Sequence, residues 1–224
     1  MSTTTAFATA IVIVLLQLPA AGAGGAQLPG PCETPVSQRT SDLGCYVAAI
    51  QSLGSLAESA VFWHVYVFPT RSAADAIKPA HGTVIGAFGK TWLFAIAGAD
   101  WRPASGERIA VVGPLPHEAG RPYTARYLEI KIPPGQHTPI HRHAGPEAWY
   151  LLAGAQCLET PEGATVIRAG ESAVVREGPP MMLSSVGTET RHGFTLVLHD
   201  TSRPWTMEQS DWTPKGSCPA SEAL

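Results

Sequence analysis

From Tyr123 to Asp200 the chain repeats one pattern: a short run of apolar and β-branched residues, a glycine or proline, then another run. "YTARYLEIKI", "EAWYLLAG", "ATVIRAG", "SAVVREG" and "GFTLVLHD" succeed one another with no helical period between them. Runs of this length and composition, bounded by turn residues, are the mark of strands packed on at least one face. Five or more of them in series predict an antiparallel barrel or sandwich, so the fold class is all-β. The 22 glycines and 20 prolines suit many turns rather than long helices.

The residues before Tyr123 divide into three stretches. The first 26 have an apolar centre, Ala10 to Leu18, followed by small residues, "AAGAGGA". That order is expected of a cleaved signal peptide, although the leading "MSTTT" carries no Lys or Arg; a retained anchor or buried helix is the alternative. The apolar run is shorter than the roughly 20 residues a membrane span needs, so no stable membrane insertion is expected after cleavage. An exported protein, periplasmic or secreted, is therefore expected. Residues 27–44 are polar and turn-rich, a linker or arm. Residues 45–120 read as a β-rich segment packed on the barrel. "AVFWHVYVF" is one strand, Thr70 caps a short helix "RSAADAIK", two strands flank a Gly89-Lys90 turn, and "ERIAVVG" gives one more. His64, inside the first of these strands, reads as a core histidine. Residues 201–224 lack a period, but Trp205 and Trp212 suggest that part of this tail packs back on the body.

Charge narrows the function. With 15 Lys+Arg, 18 Asp+Glu and no basic run, the chain lacks the footprint of a nucleic-acid binder. No Gly-rich phosphate loop, Cys-x-x-Cys pair or nucleophile elbow occurs. Four cysteines allow three complete pairings. The expected one joins Cys32 to Cys45 and Cys157 to Cys218, with Cys157 as a free buried thiol the alternative.

The chemistry concentrates in "PPGQHTPIHRHAGPEAWYLLAG", Pro133 to Gly154. In an extended "PIHRH", His141 and His143 share a face and Arg142 takes the other. "AGP" makes a bend, and Glu147 opens the next strand on the same inner side. Two imidazoles and one carboxylate so placed can hold a divalent transition metal and leave open positions for substrate. His137 has the parity of His141 and is placed at the mouth; Trp149 and Cys157 are candidates for the cavity lining, with core packing the default for both.

The spacing of Gly135, His141, His143, Glu147 and Gly154 resembles the first motif of the cupin superfamily at every position. The resemblance covers Tyr123 to Asp200. It implies a double-stranded β-helix, or jelly-roll, barrel over 121–200, with His141, His143 and Glu147 as ligands of one metal, which could be Fe, Mn, Cu, Zn or Ni. Homodimers are common in that superfamily. The second motif is altered: Gly170 and Gly178 stand in place, but Arg176, Met181 and Ser185 occupy its proline, histidine and asparagine positions. Three arrangements follow: a metal held by His141, His143 and Glu147 alone, copper with Met181 as a soft fourth ligand, or a pocket without metal. Met181 is otherwise an apolar wall. His192 and His199 flank the last strand and could supply a ligand only if its register allowed. The function expected is a dioxygenase-like oxidoreductase acting on a small organic molecule, with Glu147 able to serve also as a base. A non-catalytic module holding a small ligand is the alternative.

Overall fold

The computed structural model describes Met1 and residues 26–28, 32–208 and 211–219. The expected signal peptide lies outside the described residues apart from its two ends. Among the described residues no helix is long and apolar enough to cross a membrane.

Three β-layers make up the body. The central sheet has five strands in the order β1 (Gly44–Ser55), β6 (Pro122–Ile132), β13 (Arg191–Asp200), β8 (Glu147–Ala153) and β11 (Ser172–Val175), all neighbours antiparallel. On one side lies the sheet β3 (Gly82–Ala87), β4 (Lys90–Ala97), β2 (Val61–Phe68) and β5 (Glu107–Leu115). On the other lie β10 (Gly163–Arg168), β9 (Ala155–Thr160) and β12 (Met182–Val186), and the short pair β7 (His141–His143) and β14 (Thr206–Glu208). A bridge between His141 and Met181 joins β7 to the chain entering β12. Apart from the β9–β10 hairpin, successive strands from β6 onward alternate between two facing sides, which is the jelly-roll arrangement.

Period-two patterning decides which residues fill each interlayer space. Tyr123, Ala125 and Tyr127 of β6 and Phe194, Leu196 and Leu198 of β13 point to the N-terminal sheet and meet Trp63, Trp92 and Phe94 there. The alternate residues of β6, Leu128, Ile130 and Ile132, point into the jelly roll with Trp149, Leu151, Leu158 and Leu183. Each large side chain buried in this way contributes about 1.5–3 kcal/mol.

The N-terminal segment divides differently from the reading of the sequence. β1 belongs to the central sheet, paired with β6 along its length, and only residues 61–115 form the separate layer. Among the described residues the one α-helix, α1, is Arg71–Asp75, and Thr70 caps it by accepting from the Ala73 amide. The β3–β4 turn sits one residue earlier than expected, at Phe88-Gly89, both with positive φ (50° and 70°). Glycine takes such a conformation freely and phenylalanine does not. Phe88 is held there by its ring, which packs 5.3 Å from Phe194 and 5.1 Å from His192. Both disulfides form as expected, Cys32–Cys45 and Cys157–Cys218.

Candidate metal centre

β7, the bend Ala144–Pro146 and the start of β8 bring the three ligand candidates together, and β13 clamps that bend. The Leu198 amide donates to the Pro146 carbonyl (3.0 Å) and the Asp200 amide to that of Ala144 (2.8 Å). At Gly145 the approach is so close that a Cβ would lie 2.0 Å from the Leu198 carbonyl oxygen. Arg142 points outward to Asp211 (3.2 Å) while His141 and His143 point inward, as strand alternation requires. One ligand atom from each of His141, His143 and Glu147 lies within 4.8 Å of the others.

Backbone partners fix both imidazoles. The Nδ1 of His141 lies 2.9 Å from the Pro139 carbonyl oxygen, and the Nδ1 of His143 lies 2.6 Å from that of Trp205. A carbonyl only accepts, so each Nδ1 carries a proton, and a ring protonated there alone presents a bare Nε2 lone pair. A metal-binding histidine needs that tautomer. Burial and then the neighbouring His143 push the His141 pKa down, which keeps the ring neutral.

His143 and Glu147 are almost fully buried, and His143 Nε2 and Glu147 Oε2 face each other at 3.1 Å. With His143 protonated at Nδ1 alone both atoms are acceptors, and neither has a hydrogen-bond partner among the described residues. Two buried acceptors in contact are costly unless a cation or proton lies between them. A divalent transition ion bound by Nε2 of each histidine and a Glu147 oxygen fits this donor set.

The site opens into a cavity of about 370 Å³ between the central sheet and the β12/β7 side, lined by Leu128, Ile130, Leu183, Thr195 and Arg191 among others. Its mouth is covered by the polar arm and the tail. The Trp205 ring stacks on His143 (centroids 5.5 Å apart, planes at 19°), and its indole N–H donates to Glu33 at 2.8 Å. The Arg126 guanidinium lies over the same ring at 4.4 Å and 3.9 Å from Glu33. The arm carrying Glu33 is tied to β1 by Cys32–Cys45. Leu28, Cys32 and Glu33 of the polar arm are therefore part of the site's cover.

Seven other residues singled out in the sequence lie outside that lining. Met181 exchanges two backbone hydrogen bonds with His141 (2.8 and 3.1 Å). Its side chain packs in the apolar cluster with Trp149, Leu151 and Leu183. Trp149 is a core residue of the same cluster, with no exposed surface. Cys157 is bonded to Cys218, as expected, but it does not line the cavity: Leu158 takes the inward position on β9, so Cys157 faces outward. His137 pairs with Gln27 and Ser184 through its backbone, and its Nδ1 lies 3.0 Å from the Thr138 carbonyl oxygen. His192 packs on Phe88, in the other interlayer space. His199 stays outside the ligand group, with Nδ1 3.0 Å from the Asp200 carbonyl oxygen. His64 is buried, with Nε2 2.9 Å from the Gly98 carbonyl oxygen and a pKa lowered by burial, as a core histidine should be. Arg191, Thr195 and Glu33 went unremarked in the sequence because strand pairing and a disulfide bring them in.

The strand order and the His/His/Glu group define a cupin-type double-stranded β-helix. No protein-family model and no curated protein matches the chain. Solved structures do match, over parts of their lengths. A cupin-2 domain protein from Shewanella frigidimarina is 16% identical over 32% of this chain and 68% of its own, with a TM-score of 0.29. A single-residue mutant of oxalate decarboxylase from Bacillus subtilis is 19% identical over 44% of this chain and 30% of its own, with a TM-score of 0.33. A DMSP lyase from Ruegeria pomeroyi is 16% identical over 39% of this chain and 42% of its own, with a TM-score of 0.30.

Proposed function

We propose that the protein is an exported, metal-dependent cupin enzyme of the dioxygenase-like oxidoreductase class, acting on a small organic molecule. The observation that carries this reading is the buried, donorless contact of His143 Nε2 with Glu147 Oε2, beside His141 locked in the same tautomer. A divalent transition metal at these atoms would supply Lewis acidity and open coordination positions. The chain itself orients the imidazoles through Pro139 and Trp205, keeps water out with the Trp205–Glu33 cover, and offers a mainly apolar cavity to an organic substrate. The two disulfides support an oxidising destination.

The test is elemental analysis of protein purified without chelators or a polyhistidine tag, beside His141→Ala. About one Cu, Fe, Mn, Zn or Ni per chain is expected, and its loss in the variant. Copper would bring Met181 into the ligand set. No metal after reconstitution, or metal that survives His141→Ala, would remove the metalloenzyme reading and leave a cavity that binds a small molecule without catalysis.

A further inference from the structure

Arg191 opens β13 with its side chain inside the jelly roll, lining the cavity that holds the metal centre. It is 3% exposed, and its Nε and Nη1 have no hydrogen-bond partner among the described residues. Arginine is almost never buried without a partner, and a guanidinium is a rigid fork of donors matched to a carboxylate. Burial drops its pKa to about 10, with Glu147 opposing the fall, so it remains charged at neutral pH.

A second buried polar group lies at the same end of the jelly roll. Gln156 is fully buried and neither amide atom has a partner among the described residues. It pairs across the strands with Ser185, whose hydroxyl donates to the Ile132 carbonyl at 3.1 Å, and Ile132 is the strand partner of Arg191. Polar groups left open in this way inside an apolar core mark a place where something else completes the hydrogen bonding.

Charge points the same way. The cavity is lined by one guanidinium, the buried Arg191, and by three carboxylates, the buried Glu147 and the solvent-exposed Glu33 and Glu208. A divalent cation held by His141, His143 and Glu147 would leave the buried inner end, where only Arg191 and Glu147 carry charge, with an excess of positive charge. In a low-dielectric interior, that excess favours an anionic ligand.

We propose that Arg191 is the anchor for a carboxylate group of the substrate, so that the ligand is a small organic acid lying between Arg191 and the metal centre. The metal half of this statement rests on the function proposed above; the Arg191 half does not. The size of the cavity, about 370 Å³, suits a molecule of a few carbons to a single ring.

The test is isothermal titration of malonate, succinate and glutarate, with succinamide as the uncharged control, into metal-free and metal-loaded protein. Wild type is expected to bind at least one of the acids and to ignore succinamide. Arg191→Met should weaken that binding at least tenfold, and Arg191→Lys, which keeps the charge but loses the fork, should fall between. Metal content should be the same in all three. An anchor that is unpaired in the empty protein contributes nothing to folding, so Arg191→Met should melt no lower than wild type. Equal affinity in wild type and Arg191→Met, or no binding of any acid, would overturn the proposal. So would a large drop in melting temperature in Arg191→Met, which would show a structural arginine. Arg191-dependent binding in protein that takes up no metal would sustain the anchor while removing the metalloenzyme reading.

Discussion

Gly145→Ala is expected to lower the melting temperature by about 10 °C, because 1 kcal/mol is worth about 2–4 °C in a chain of this size. The same change should empty the metal centre. The added methyl carbon would fall 2.0 Å from the Leu198 carbonyl oxygen and 2.9 Å from the His199 Cα, both backbone atoms with no freedom to turn away. Moving the bend off β13 relieves the overlap but breaks the hydrogen bonds at Ala144 and Pro146. Overpacking of this kind together with two lost bonds costs about 3–5 kcal/mol. The bend sets Glu147 against His143, so the damage is functional as well as structural. Gly86→Ala is the control, since its Cβ would meet nothing within 4 Å and its φ is ordinary. Calorimetric melting and metal content of the two variants check the prediction. A Gly145→Ala protein that melts with wild type would contradict the close approach of the bend to β13.

The second large effect concerns the two disulfides, which differ in what they hold. Cys157–Cys218 closes a separation of 61 residues and Cys32–Cys45 one of 13. From loop-closure entropy alone, removing the first costs about 4 kcal/mol and the second about 3 kcal/mol. Urea unfolding of the two double-alanine variants should reproduce that order. Their effects on the site should run the other way. The Cys157–Cys218 bond lies on the outer face of β9, away from the cavity, so folded Cys157→Ala/Cys218→Ala should keep its metal. Loss of Cys32–Cys45 frees the arm bearing Glu33, which should make metal exchange faster. If Cys157→Ala/Cys218→Ala unfolds at the wild-type urea concentration, the tail is not tethered as described.

How far the sequence could be read depended on where each interaction closes. β6, β8, β10, β11 and β13 were legible because their apolar runs end in clear turn residues. β9 and β12 escaped notice because Gln156 and Ser185 turn inward, so that polar residues sit where the pattern should be apolar. β1 was obscured by its irregular register, which shifts between Val47 and Ala49 and again between Ser52 and Gly54. The His/His/Glu group was visible because its members lie within seven positions and two strands with one bend bring them together. Arg191 and Trp205 were not, since their roles come from pairing across the sheets. Cys157 shows the limit from the other side: on a strand not recognised as one, its parity, and so its face, could not be assigned.

The carbonyl of Trp205 lies 62 positions along the chain from the imidazole it orients. The histidine's readiness to bind thus depends on a segment beyond the last strand of the central sheet. Proteolytic nicking between Asp200 and Trp205 would spare both jelly-roll sheets yet leave His143 free to rotate out of the ligand-ready tautomer. Whether the site can be filled then becomes a test of an intact tail, so that a clipped molecule would be folded and metal-free at the same time.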